Sequence, residues 1–93
     1  MKITFPIVSQ DKKWLADIEG EIVDVAPHLA HLMTFAIHDD GYGGWQVSNV
    51  ETGSRVGYAD WSRKLAIGAT RTLLADKTDA DARRAYRKCG YRP

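Results

Sequence analysis

MTFAIHDDGYGGWQVSNVETGSRVGYADWSRKLAIGATRTLL (residues 33–74) reads as three antiparallel strands followed by a helix. Over Met33–His38, Met33, Phe35 and Ile37 share one face and Thr34, Ala36 and His38 the other, the period of a strand. Asp39–Gly44 is a glycine-rich connection. Trp45–Val50 resumes a strand with Trp45 and Val47 on one face. Glu51-Thr52-Gly53-Ser54 is a hairpin loop in which Gly53 supplies a positive φ. Arg55–Ala59 returns, with Val56 and Tyr58 expected on one face. The helix that follows can be capped by Asp60 or Ser62, and its apolar stripe is taken as Trp61, Leu65, Ala66, Ala69 and Leu73. Gly68 inside it costs about 1 kcal/mol against Ala, which points to close packing there.

Toward the N-terminus, Lys2–Val8 alternates as a half-buried strand, and Pro6, which cannot donate to a ladder, puts it at a sheet edge or leaves its N–H side unpaired. Ser9–Lys12 reads as a turn. Trp14–Ile18 is a strand or a helical turn, with strand preferred. Gly20 is expected to break it, and Glu21–Val25 forms a further β-rich segment ended by Ala26-Pro27. His28–Leu32 is either a helical turn or a lead-in to the next strand. Toward the C-terminus, Thr78–Asp81 resembles a capping box. Ala82, Ala85, Tyr86 and Cys89 then repeat at helical spacing, and Gly90 is a natural stop.

The expected architecture is therefore a single α+β domain over residues 1–93. It is an antiparallel β-sheet of about four to six strands with two C-terminal α-helices packed on one face. Its core should contain Ile3, Phe5, Val23, Phe35, Ile37, Trp45, Val47, Val56, Leu65, Ala69 and Leu73. The whole reading depends on Trp45–Ala59 being a hairpin.

Composition excludes several classes of function. No apolar run approaches the roughly 20 residues of a membrane span. The N-terminus lacks the apolar segment of a secretory leader. A lone cysteine, Cys89, gives no internal disulfide framework and suits a reducing cytoplasm. Charge is divided along the chain. Residues 1–60 hold four basic against nine acidic side chains, and residues 61–93 hold nine against three, within a net charge of +1. Such a split either steers a charged partner or draws the two halves together.

No catalytic or cofactor pattern emerges, and no cofactor or small-molecule substrate is expected. His28-x-x-His31 with His38, aided by Asp39 or Asp40, has the types but not the spacing of a zinc site. Surface histidines near a strand are the plainer expectation. Cys89 falls on the apolar stripe at a helix C-terminus, where the dipole opposes a thiolate, so it reads as a small core residue. Gly41-Tyr42-Gly43-Gly44 looks like a phosphate loop but leads into a strand, whereas phosphate binding needs a helix N-terminus.

One stretch suits partner binding. Arg83, Arg84, Arg87 and Lys88 fall opposite the apolar residues of the last helix, and Tyr91-Arg92-Pro93 extends the basic run. Such a helix lies on nucleic-acid phosphates or on an acidic protein patch. A pI near 7.9 falls short of a dedicated nucleic-acid binder. The opposite sign is offered by Asp39, Asp40 and Tyr42 on the long connection and Glu51 at the hairpin, which suit a basic groove on a partner.

Phe35-Ala36-Ile37-His38, then Trp45-Gln46-Val47-Ser48, then Thr52, Gly53 and Val56, then Ser62, Arg63, Ala66, Ile67 and Ala69 resemble small phage, prophage and plasmid accessory proteins. The resemblance covers about half the chain. Tyr58-Ala59-Asp60 departs from it, since a glycine commonly precedes the helix there, and the basic tail lies outside it. The resemblance implies a non-enzymatic protein that binds and inhibits a host nucleic-acid-handling complex in the manner of an anti-CRISPR. The alternative is a nucleic-acid-binding accessory domain that uses the basic helix. No active site is carried over.

Overall fold

The structure, a computed structural model, describes residues 1–9, 11 and 13–89. Five strands come in chain order: β1 (Lys2–Val8), β2 (Trp14–Ile22), β3 (Phe35–Asp39), β4 (Trp45–Asn49) and β5 (Arg55–Asp60). Two helices follow, α1 (Arg63–Leu74) and α2 (Asp79–Cys89). The strands pair antiparallel in sequence order, and α1 packs on β4 and β5, so the fold is α+β. Trp45–Ala59 is a hairpin, with Val47 opposite Val56 and Ser48 opposite Arg55. Among the described residues no helix is long and apolar enough to cross a membrane.

The N-terminal half differs from the sequence reading. β2 runs unbroken through Gly20 to Ile22, so Gly20 does not end a strand and Glu21–Val25 is not a separate one. The reason is close approach. A Cβ on Gly20 would stand 2.9 Å from the Ile37 carbonyl oxygen and 3.1 Å from the Phe5 ring, so glycine here admits neighbouring atoms. Of the Ser9–Lys12 turn, Gln10 and Lys12 lie outside the described residues; the Ser9 amide donates to the Lys13 carbonyl at 2.8 Å. Pro27–Leu29 is a short 3-10 turn.

The sheet has two covered faces at its centre. Phe35, Ile37 and Val47 point to the helices and pack with Val25, Ala26, Leu29, Ala66, Leu74 and Ala82. On the opposite face lie Phe5, Ala36, His38, Gln46 and Ser48, all buried. The sheet curls toward this second face. At one end the Val8 amide donates to the Gly53 carbonyl at 3.1 Å, which ties edge strand β1 to the β4–β5 turn. Gly53 has φ +73°, and a Cβ there would lie 2.3 Å from the Pro6 carbonyl oxygen.

Several expected core positions move. The buried row of α1 is Ala66, Thr70 and Leu74, with Ile67 beside it, whereas Trp61, Leu65, Ala69 and Leu73 are exposed. Thr70 can face the sheet because its hydroxyl donates to the Ala66 carbonyl at 2.8 Å. A Cβ on Gly68 would meet nothing within 4 Å, so close packing does not explain that glycine. Tyr58 does not share the face of Val56. A bulge at Gly57, φ +73°, shifts the register between the Val47–Val56 and Trp45–Asp60 pairs and leaves Tyr58 91% exposed. The Gln46 amide fills the bulge, donating to the Val56 carbonyl at 3.1 Å. Ile3, Val23, Trp45 and Val56 are half-buried.

Helix ends follow the sequence. Ser62 caps α1, its hydroxyl accepting from the Leu65 amide at 3.2 Å. The capping box of α2 is reciprocal: the Thr78 amide donates to Asp81 Oδ2 at 2.9 Å, and the Asp81 amide to Thr78 Oγ1 at 3.3 Å. Ala82 and Tyr86 are the buried residues of α2, Cys89 is half-buried, and Ala85 is exposed. Gly90 lies outside the described residues.

Candidate functional site

Arg83, Arg84, Arg87 and Lys88 are exposed on the outer face of α2. That helix is held by Tyr86, whose ring is buried and whose hydroxyl donates to the Leu32 carbonyl. Arg84 Nη1 lies 3.2 Å from Asp81 Oδ1, an exposed ion pair that contributes little. Arg83, Arg87 and Lys88 make no ion pair among the described residues. Tyr91-Arg92-Pro93, read as an extension of this face, lies outside the described residues. Hydrogen bonds from the Thr78 amide and hydroxyl lower the Asp81 pKa, with Arg84 and Lys77 adding to the effect.

The acidic candidates separate. Asp39, Asp40 and Tyr42 stay together on the β3–β4 connection. Asp40 Oδ1 accepts from the Tyr42 amide at 2.7 Å and the Gly44 amide at 2.9 Å, which lowers its pKa. Asp39 Oδ1 accepts from the Gly41 amide at 2.6 Å. Gly41 and Gly43 take positive φ. The Gly41, Tyr42 and Gly44 amides are thus turned onto the loop's own carboxylates. Glu51, by contrast, is engaged internally. Its Oε1 accepts from the Thr34 amide at 2.7 Å and from Asn49 Nδ2 at 3.0 Å, and the Tyr86 hydroxyl lies 3.5 Å away. It fastens the hairpin turn to the lead-in of β3 and to α2.

The histidines do not converge. His28 Nε2 meets the Lys77 carbonyl at 3.0 Å and His31 Nε2 meets Asp79 Oδ2 at 2.8 Å, both beside the start of α2. His38 lies on the far face of the sheet. Among the described residues no group of three or more His, Cys, Asp or Glu is placed to hold a metal ion.

His38 enters an arrangement that the sequence reading missed. Its Nδ1–H donates to the Asp39 carbonyl at 2.7 Å, so in the neutral ring Nε2 accepts from the Ser48 hydroxyl at 2.8 Å. Burial is the largest influence on the ring and lowers its pKa below 6.5. A serine hydroxyl on an oriented imidazole is the geometry of a nucleophile and its base. Here Ser48 is 0% exposed and His38 5%, and the pair satisfies two buried polar groups. The signal was the hairpin register: with Asp39 opposite Trp45, His38 faces Gln46 and Ser48 lies diagonally across.

Above this pair the curl of the sheet leaves an open groove of about 1010 Å³. Ile7, Val8, Leu15 and Ile18 form its apolar wall, and His38 and Gln46 lie at its floor. Asp11, Asp39, Asp40 and Tyr42 stand along it with Arg55. Comparison with protein-family models, with curated proteins and with solved structures finds no match for this chain.

Proposed function

We propose that this chain is a non-enzymatic interaction protein of the kind carried by phages and other mobile elements. In this reading it binds and inhibits a nucleic-acid-handling complex of a bacterial host, within the cytoplasm, as an anti-CRISPR does. The observation that carries the reading is the outer face of α2. Arg83, Arg87 and Lys88 stand exposed, with no ion pair among the described residues, on a helix fixed from behind by Ala82 and Tyr86. A held basic surface steers association with an acidic patch and sets its register.

The same side chains favour a second reading, a nucleic-acid-binding accessory domain, because arginines on one helix face suit phosphates equally. Capture of partners from a bacterial lysate, with and without nuclease, separates the two. A protein complex retained after nuclease, whose activity falls when the purified chain is added, supports the inhibitor. Recovery of nucleic acid alone, lost on nuclease treatment, rejects it in favour of the second reading.

A further inference from the structure

We infer that the groove on the His38 face of the sheet is where a partner protein docks, and that it takes a segment in which apolar and basic side chains alternate. The inference rests on the interaction-protein reading and adds to it the chemistry of the partner. The wall supplies the apolar half. Ile7, Val8 and Ile18 are half-buried and Leu15 is 56% exposed, so apolar side chains seated there leave water together with the wall. The rim supplies the charge. Among the described residues, Asp11, Asp39 and Asp40 line the groove with a single arginine, Arg55, and a concave surface of one dominant sign concentrates the opposite charge. The Tyr42 and Gly44 amides hold the Asp40 carboxylate and lower its pKa. Tyr42, exposed beside these carboxylates, presents a ring face to a guanidinium.

The size and the edges narrow the occupant further. The volume accommodates several side chains of an extended segment. Simple strand addition is disfavoured, because Pro6 interrupts donors on β1 and the bulge at Gly57 distorts β5. Recognition therefore runs through side chains in the groove. Nucleic acid would bring phosphates against the aspartates and is the wrong sign.

The test is an NMR titration of the isotope-labelled full chain with an alternating Leu-Arg hexapeptide, and with Ser-Arg and Leu-Glu counterparts. The Leu-Arg peptide should shift the amides of Ile7, Val8, Gln46 and Ala59. The Ser-Arg peptide should bind about tenfold more weakly, and the Leu-Glu peptide should not bind. Asp39→Asn combined with Asp40→Asn keeps an acceptor oxygen in each turn and removes two charges, and Leu15→Ser removes part of the wall. Each should weaken Leu-Arg binding about fivefold, whereas Lys64→Ser, at an exposed position outside the groove lining, should leave it unchanged. Shifts on another surface, or equal binding of the Leu-Glu peptide, overturn the inference. So does self-association that the Asn double variant abolishes, since a second copy's basic α2 would then be the occupant. The peptide probe is independent of the lysate, so the groove can fail while the interaction-protein reading stands, and the reverse.

Discussion

His38 and Ser48 show how a polar pair can be built into a small sheet. Each satisfies the other away from water, and the imidazole stays neutral because burial opposes its charge. With the folded pKa below 6.5, the unfolded chain takes up a proton first as pH falls. The stability that His38 contributes is therefore complete above pH 6.5 and is lost as pH drops through the lower folded value. His38→Ala should cost about 1–3 kcal/mol at neutral pH, because Ser48 loses its partner. The gap between variant and wild type, read from urea midpoints, should narrow toward acid; a constant gap would mean the buried ring is not held neutral. Glu51 makes a separate case. Glu51→Ala strands the half-buried Thr34 amide and should cost about 1–3 kcal/mol in urea unfolding. It should leave partner binding unchanged when the loss of folded protein is accounted for.

At the scale of the element, α1 and the β4–β5 turn use glycine in opposite ways. Gly68 is a helical residue with open space where a side chain would stand. Gly68→Ala should raise stability by about 1 kcal/mol, the ordinary helix preference for alanine. Gly53 combines φ +73° with the Pro6 carbonyl oxygen 2.3 Å from where a Cβ would be. Gly53→Ala should therefore destabilise by more than about 1 kcal/mol, and should loosen the tie between β1 and the turn. Thermal melts of the two variants should move in opposite directions. A Gly53→Ala protein as stable as wild type would mean that the sheet does not close at this end. The burial of Thr70 belongs to the same scale. The chain turns Ala66, self-satisfied Thr70 and Leu74 to the sheet and leaves Leu65 and Leu73 exposed.

Over the whole molecule, the charge division of the chain becomes a spatial one. The basic side chains of α2 stand on the outside of the helix layer, and the aspartates of the β3–β4 connection line the groove on the other face of the sheet. The two halves do meet at Arg63 and Glu21, 3.1 Å apart, and at His31 and Asp79. Most of the α2 charge is left outward. Replacing Arg83, Arg84, Arg87 and Lys88 together with Ser should change stability by only about 0.5 kcal/mol, since these are solvated positions. Loss of an arginine from a desolvated partner contact costs ~2 kcal/mol or more, so capture of the host complex should fall steeply. Added salt should weaken the wild-type interaction in parallel. A quadruple variant that captures the complex as well as wild type would make α2 a solvated face and leave the groove as the contact.

The local features of this protein were legible in its sequence because their physics is local. The Thr52-Gly53 turn, the Ser62 cap, the Thr78–Asp81 capping box and the strand alternation of Phe35–His38, within the expected Met33–His38, each depend on neighbours within a few residues. What the tertiary structure decided depends on atoms far apart in the chain. Gly20 looked like a strand end and is a strand interior, because the Ile37 carbonyl and the Phe5 ring approach it. The apolar stripe of α1 pointed to Leu65, Ala69 and Leu73 beside Ala66, and the sheet, which packs against α1 through β4 and β5, instead takes Thr70 and Leu74 beside Ala66. Glu51 looked like a hairpin tip, and Thr34, Asn49 and Tyr86 converge on it. The groove appears in no stretch of sequence, since it exists only when β1 curls back to meet Gly53.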